Sequence, residues 1–455
     1  MARFKPQIQE KNSKVAFFFL ILYTAAVFIR PQEWNVYNVI TFPFIRIFII
    51  SAFLFYLFEQ KPKVWGVQAW CLVGLCFVIL LSGLRNYWFM GGVDSMIDFI
   101  IVSFIPFILF SSLVNSNEQL HKIFAISLFS TLFMVHHGYS QVMSADGIGW
   151  SGTLISQGTR IKYIGIFSDP NDMGMFLLMN VPIAFYFFSK AQNFIIKVAV
   201  LIVIGLLLWG IVNTNSRGTL VGLLALCCVY MVFRFGKLKA FIFIGICIPI
   251  AFVAMSKFRA IDTEEESAQG RIEAWYSAVQ MFKYRPVVGV GKGNFMEHHG
   301  RTGHNSYAMV MAELGTLGYF FWFTFLIFTM QKLLYITNGI AQFSDVKPPD
   351  NKPPDNKLPV NKSSWEEVAA EYQSLAKVLL YSLTGYAATA FFLSRSYILF
   401  LFIFIGLATA LIHRVERNYM EEDVRIKHTK FVLKRSIALS FISLVTLFFI
   451  IKILV

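Results

Sequence analysis

Three stretches of this 455-residue chain carry residue types that can do chemistry. The first is His298-His299-Gly300-Arg301-Thr302-Gly303-His304-Asn305-Ser306-Tyr307, in which His304 stands just ahead of a long apolar run. If Asn305 or Ser306 caps a helix there, the positive helix end disfavours imidazolium and keeps His304 neutral, the form a general base needs. The second is Asn213-Thr214-Asn215-Ser216-Arg217-Gly218, a polar turn between two apolar runs. Asn215 or Ser216 can cap the second run and leave Arg217 in its first turn. The third is Phe167-Ser168-Asp169-Pro170-Asn171-Asp172, whose carboxylates suit a metal or a base but read more simply as a helix cap in a proline-fixed turn.

Two further patterns are set aside. Gly289-Val290-Gly291-Lys292-Gly293 lacks the spacing of a nucleotide loop, so its glycines are expected to turn sharply or let the backbone approach a ligand. His298, His299 and His304 lack a fourth metal ligand, and adjacent histidines rarely converge, so no metal site and no cofactor are expected.

The elements that position these residues must lie in a membrane. Hydrophobic residues make up 56% of the chain and charged residues 15%, which excludes an ordinary water-soluble domain. Apolar runs long enough to cross a bilayer recur near 15-29, 38-58, 66-83, 96-114, 122-143, 173-189, 194-212, 218-233, 240-255, 306-330, 378-394, 396-412 and 436-455. The expected fold is an all-α polytopic membrane protein of about 12–13 transmembrane helices with a partly helical periplasmic loop. It divides into an N-terminal bundle (1-255), a periplasmic catalytic loop (256-305), one transmembrane helix (306-336), a cytoplasmic Pro/Lys/Asp/Asn-rich linker (337-375) and C-terminal helices (376-455). Within the loop, Ile272, Trp275, Val279 and Phe282 share a helical face that Arg285-Pro286 ends, as in an amphipathic helix lying on the outer membrane surface. All five cysteines fall inside apolar runs and suggest no disulfide frame.

The net charge of +14 is not a nucleic-acid footprint once the charges are located. With the N-terminus cytoplasmic, 25 of the 40 basic residues fall on the inner side and 13 on the outer, as the positive-inside rule expects. Nine of those 13 are arginine: Arg30, Arg85, Arg160, Arg217, Arg259, Arg271, Arg285, Arg301 and Arg395. Topology needs only positive charge, whereas arginine's planar fork binds phosphate oxygens bidentately, so the outer face is expected to hold an anion. Arg46 and Glu313 are the clear ionisable residues inside the spans and are expected to pair.

Asn215-Ser216-Arg217-Gly218, Gly270-Arg271-Ile272-Glu273-Ala274-Trp275, Tyr284-Arg285-Pro286 with Gly289-Val290-Gly291, and His304-Asn305-Ser306-Tyr307 with Glu313-Leu314-Gly315 occur in that order. In this combination the chain resembles the O-antigen ligase and O-antigen polymerase superfamily of bacterial inner-membrane glycosyltransferases. The resemblance implies a glycan donor linked to undecaprenyl pyrophosphate, an acceptor that is a glycan, lipid A core or protein, and a reaction needing neither metal nor nucleotide. It implies His304 as general base and Arg217 and Arg271 as pyrophosphate ligands; Arg301 and Arg285 are second-tier phosphate candidates, and Arg160 is a further one because 144 to 172 is the other substantial outer loop. Ligase and polymerase share this chemistry. A transporter of the lipid-linked glycan is the alternative from another class, but it has little use for a folded outer loop bearing a histidine.

Overall fold

The computed structural model describes residues 11–34, 43–239, 242, 245, 268–339 and 362–454. Among them the regular elements are helices, and ten are long and apolar enough to cross a membrane, so the chain is an all-α multi-pass membrane protein. The helices are α1 (Lys14–Ile29), α2 (Phe44–Glu59), α3 (Val67–Arg85), α4 (Phe89–Phe99), α5 (Ile105–Leu113), α6 (Asn117–Met143), α7 (Pro170–Lys190), α8 (Phe194–Asn213), α9 (Arg217–Phe235), α10 (Ala268–Tyr284), α11 (Phe295–His299), α12 (Ser306–Asn338), α13 (Lys362–Ala390), α14 (Leu399–Tyr419) and α15 (Glu422–Leu454). A π-type turn over Ile100–Phe104 joins α4 to α5 ahead of Pro106, so Phe89–Leu113 crosses as one bent rod.

Ten of the thirteen expected spans are recovered with shifted ends; the runs at 38-58 and 378-394 fall in helices α2 and α13, which are not among the ten, and the run at 240-255 falls largely outside the described residues. The run at 38-58 contributes α2, at 16 residues short for a full crossing. The run at 240-255, Arg259 and the Pro-Asp-Asn repeat at 345 to 361 lie outside the described residues, apart from the helical positions 242 and 245. Helix α13 starts at Lys362, well before the apolar run that marked it, because its first turns are polar yet keep a helical period.

Three spans, α14, α7 and α12, are the most enclosed. For α14, 89% of its most apolar stretch is buried inside the protein, against 22% for α8 and for α9. Helix α12 packs against α3, α10, α13, α14 and α15. It is not the single rod that its hydropathy predicts. Gly315 breaks it, with φ 63° and ψ −160°, and the segment after α10 fills the break. Val290 and Gly291 donate their backbone N–H groups to the carbonyls of Ala312 and Glu313 at 3.1 and 2.9 Å, while Thr316 and Leu317 donate theirs to Pro286 and Val287 at 2.8 and 3.1 Å. A helix break inside a membrane protein is tolerable only if such groups are paired. A Cβ built on Gly289 would stand 2.2 Å from the Glu313 carbonyl oxygen, so the close backbone approach expected of these glycines is made to the protein's own helix.

The Arg46–Glu313 pair is not formed. Arg46 is exposed on α2, which packs on α1 and α5, whereas Glu313 is 0% exposed at the break in α12. Its carboxylate faces the backbone N–H groups of Gly293 and Phe295, although neither oxygen makes a well-aligned hydrogen bond. Lys292 is close by but pairs with Asp98 at 3.0 Å. That both are ionisable residues inside spans carried no information about which helices are neighbours.

Candidate functional site

His304 is set by the start of α12. Asn305 caps the helix, its side-chain oxygen accepting from the N–H groups of Tyr307 and Ala308 at 2.9 and 3.0 Å. His304 precedes the cap in a left-handed conformation, φ 46°, which aims its side chain off the helix axis, and its Nε2 lies 3.1 Å from Thr302 Oγ1. Of the two caps considered, asparagine is the one used. Ser306 is engaged elsewhere. Its hydroxyl donates to the Leu393 carbonyl at 2.5 Å and accepts from the Arg395 N–H at 2.8 Å, while Ser396 Oγ donates to the Ser306 carbonyl at 3.0 Å. The histidine turn is thereby stapled to residues 391–398, the link between α13 and α14.

That link is the platform of the site. Gly218 at the start of α9 packs so closely on it that an added Cβ would lie 3.0 Å from Phe392 Cβ. Trp275 of α10 meets Phe391 edge to face at 5.6 Å, and Tyr307 meets the same ring at 6.2 Å. The segments bearing Arg217, Arg271 and His304 thus converge on residues 389–398. Hydropathy gave no hint of this, because Arg395 was the single residue separating two apolar runs.

Arg217 opens α9 behind its cap, Ser216, whose hydroxyl accepts from the Thr219 N–H at 3.3 Å, and Asn215 makes the preceding turn with φ 47°. Arg160 secures this turn from the side. Its guanidinium donates to the Thr214 carbonyl at 3.1 Å, to Asn171 Oδ1 at 2.9 Å and to Gln157 Oε1 at 3.3 Å, tying the starts of α7 and α9 together.

Helix α10 carries Arg271 in its first turn. The face holding Ile272, Trp275, Val279 and Phe282 exists, but it packs on protein: α10 lies on α12 and α15, with Val279 buried and the Phe282 ring 6.1 Å from Phe448. The expected docking of this face on the membrane surface is replaced by docking on the bundle. Arg301 stands beside the start of α10, its Nη1 3.7 Å from where a Gly270 Cβ would be, so Arg301 and the Gly270-Arg271 pair share one corner. Arg285 lies at the other end, donating to Asn86 Oδ1 at 3.3 Å and stacked over the Tyr284 ring at 4.4 Å. Asn86 in turn donates to the Gly289 carbonyl at 3.1 Å, so Arg285 braces the segment that fills the α12 break. The three neighbouring histidines diverge: His298 is exposed, and His299 Nδ1 is 2.9 Å from Ser277 Oγ on α10. Among the described residues no group of three His, Cys, Asp or Glu side chains is placed to hold a metal.

Asp169 and Asp172 are explained by Arg395. Asp169 caps α7, accepting from the Asn171 N–H at 2.8 Å, and its other oxygen takes a 3.0 Å bond from Arg395 Nη2. Asp172, 7% exposed at its side chain, accepts from Arg395 Nε. Burial works against charge on Arg395, but the two carboxylates outweigh it and hold the guanidinium protonated beyond its ordinary range. Arg395 was counted among the outer arginines available to an anion; its charge is committed inside the protein.

Together these contacts define a multi-pass membrane protein in which the starts of α7, α9, α10 and α12 meet the α13–α14 link. Residues 201–323 match the model of a family described as O-antigen ligase. The match runs from α8 into the second half of α12 and includes the four motifs that carry the resemblance, so this segment is similar to the O-antigen ligase family, whose members are membrane glycosyltransferase-like ligases and polymerases. No curated protein matches the chain.

Proposed function

We propose that the protein moves a glycan from undecaprenyl pyrophosphate to a hydroxyl acceptor at the periplasmic face of the bacterial inner membrane, as an O-antigen ligase. The observation that carries this reading is the convergence of the His304 turn with the helix starts bearing Arg217 and Arg271 on residues 389–398. A periplasmic enzyme has no nucleotide sugar to draw on, so an already activated lipid-linked donor is the fitting substrate. The acceptor hydroxyl loses its proton to His304 while its oxygen bonds to the anomeric carbon. The bond from that carbon to the pyrophosphate oxygen breaks, and the electron pair leaves with the phosphate, where Arg217 and Arg271 offset the developing charge. Attack opposite the leaving group inverts the anomeric centre. Arg301 belongs to the pyrophosphate-binding corner beside Arg271, Arg160 braces the turn that carries Arg217, and Arg285 braces the segment after α10.

The positive-inside distribution supports a cytoplasmic N-terminus and a periplasmic site. The acceptor is a glycan, lipid A core or protein. His304→Ala and Arg217→Ala are expected to abolish glycan transfer in cells while the protein still inserts at wild-type levels. Normal transfer by His304→Ala at equal expression overturns the catalytic assignment. With a lipid-linked oligosaccharide supplied to the purified protein, product on a separate acceptor supports the ligase, whereas a growing ladder on the lipid replaces it with the polymerase.

A further inference from the structure

The end of the bundle opposite His304, where α6 and α13 begin and α7 and α14 finish, contains a buried arginine of a different kind. Arg414 is 8% exposed on α14, the most enclosed of the ten spans. It is not a headgroup arginine reaching past the protein to the lipid interface, because its head is inside the protein. Nη1 donates to Asn117 Oδ1 at 2.8 Å, and the guanidinium lies 5.6 Å from the centre of the Tyr372 ring. Nε and Nη2 are buried and have no hydrogen-bond partner. Glu371 is within electrostatic reach but turned to His121, 3.6 Å away. Lys190 stands over the Tyr186 ring, whose hydroxyl is 2.8 Å from His121, and Glu118 pairs with Lys122 at 2.7 Å.

Two other cations, buried Lys332 and partly buried Arg395, show how the fold neutralises a charge internally. Lys332 pairs with Glu416 at 2.5 Å, with Thr429 Oγ1 at 2.8 Å beside it, and Arg395 has Asp169 and Asp172. Arg414 lies only two residues from Glu416 on the same helix, yet no acid pairs with it among the described residues. Instead its fork rests against Asn117, the first residue of the 27-residue helix α6, where the helix dipole adds positive potential. A buried guanidinium with two unmet donors at a helix start is a site for an oxyanion.

We propose that Arg414 and the start of α6 bind a phosphate group, either the headgroup of an anionic phospholipid in the leaflet at that end or a free phosphate. The site is remote from His304 and does not depend on the proposed reaction. The test uses the full-length protein, delipidated in maltoside detergent and monitored by thermal unfolding. Titration with phosphatidylglycerol, with inorganic phosphate, and with diacylglycerol as a phosphate-free lipid separates the sources. A rise in Tm with phosphatidylglycerol alone assigns the lipid headgroup; a rise with inorganic phosphate as well assigns a free anion. In either case Arg414→Met is expected to raise the half-saturating concentration about tenfold or more, as loss of a charged hydrogen bond implies. Arg414→Lys, which keeps the charge but loses the fork, is expected to fall between, and it supplies the comparison if Arg414→Met does not fold. Equal response of wild type and variants, or no response beyond that to diacylglycerol, overturns the site.

Discussion

Arg395 and Arg414 stand at the two ends of one helix, and they are opposites. Arg395 lies just before α14 and is clamped by Asp169 and Asp172; Arg414 lies near its finish with only Asn117 and an aromatic face. The polar cluster around Arg395 is closed on itself, joining α7, α12 and α14 through Ser306 and Ser396. The cluster around Arg414 is left open. The contrast teaches that counting arginines does not measure capacity to bind an anion. Of the nine placed on the outer side, Arg30, Arg160, Arg285 and Arg395 are engaged by protein acceptors. Arg217 and Arg271 lie on the segments that converge with the His304 turn on residues 389–398, and Arg301 stands beside the start of α10.

The largest expected effect sharpens that distinction between working and structural charge. His304→Ala should lower transfer by about 10²–10⁴-fold while the protein still folds and inserts, because a general base acts in the transition state. Arg395→Ala should act on stability instead. Stranding the buried Asp172 carboxylate should cost about 3–5 kcal/mol, read as a lowered midpoint of unfolding, with Arg395→Lys recovering part of it. Gly289→Ala should cost about 1–3 kcal/mol, because the new methyl meets backbone rather than a movable side chain. Arg414→Met supplies the smallest effect and the sharpest contrast. In phosphate-free detergent it should leave stability unchanged or slightly raised, since it removes a buried charge that nothing in the protein repays. A loss as large as that of Arg395→Ala would erase the difference between the two ends.

Much of this architecture is written in local composition. Apolar runs gave the helices because a bilayer demands about 20 such residues in succession, and Ser216, Asp169 and Asn305 announced their helix starts through capping chemistry that acts over three residues. What escaped depends on contacts between distant parts of the chain. The break in α12 lies in an apolar run interrupted by Glu313, and only Glu313-Leu314-Gly315 together with the Gly289-x-Gly291 pair hinted at it. The face of α10 was legible, but its partner was not, because an apolar stripe is the same whether it meets lipid or Phe448. The platform at 389–398 was hidden for a related reason. Its hold on the site runs through backbone carbonyls and serines, which periodicity does not weigh.

The repaired break in α12 also bears on how this chain can be recombined with its relatives. Residues 286–291 and 312–317 satisfy one another's backbone groups, with Gly289 seated where any side chain would collide. They form a single inheritance unit although some twenty residues, His304 among them, lie between. A chimera that swaps the 256-305 loop and leaves α12 behind splits the lock from its key, whereas one cut after 317 carries both, so crossover points belong beyond the break.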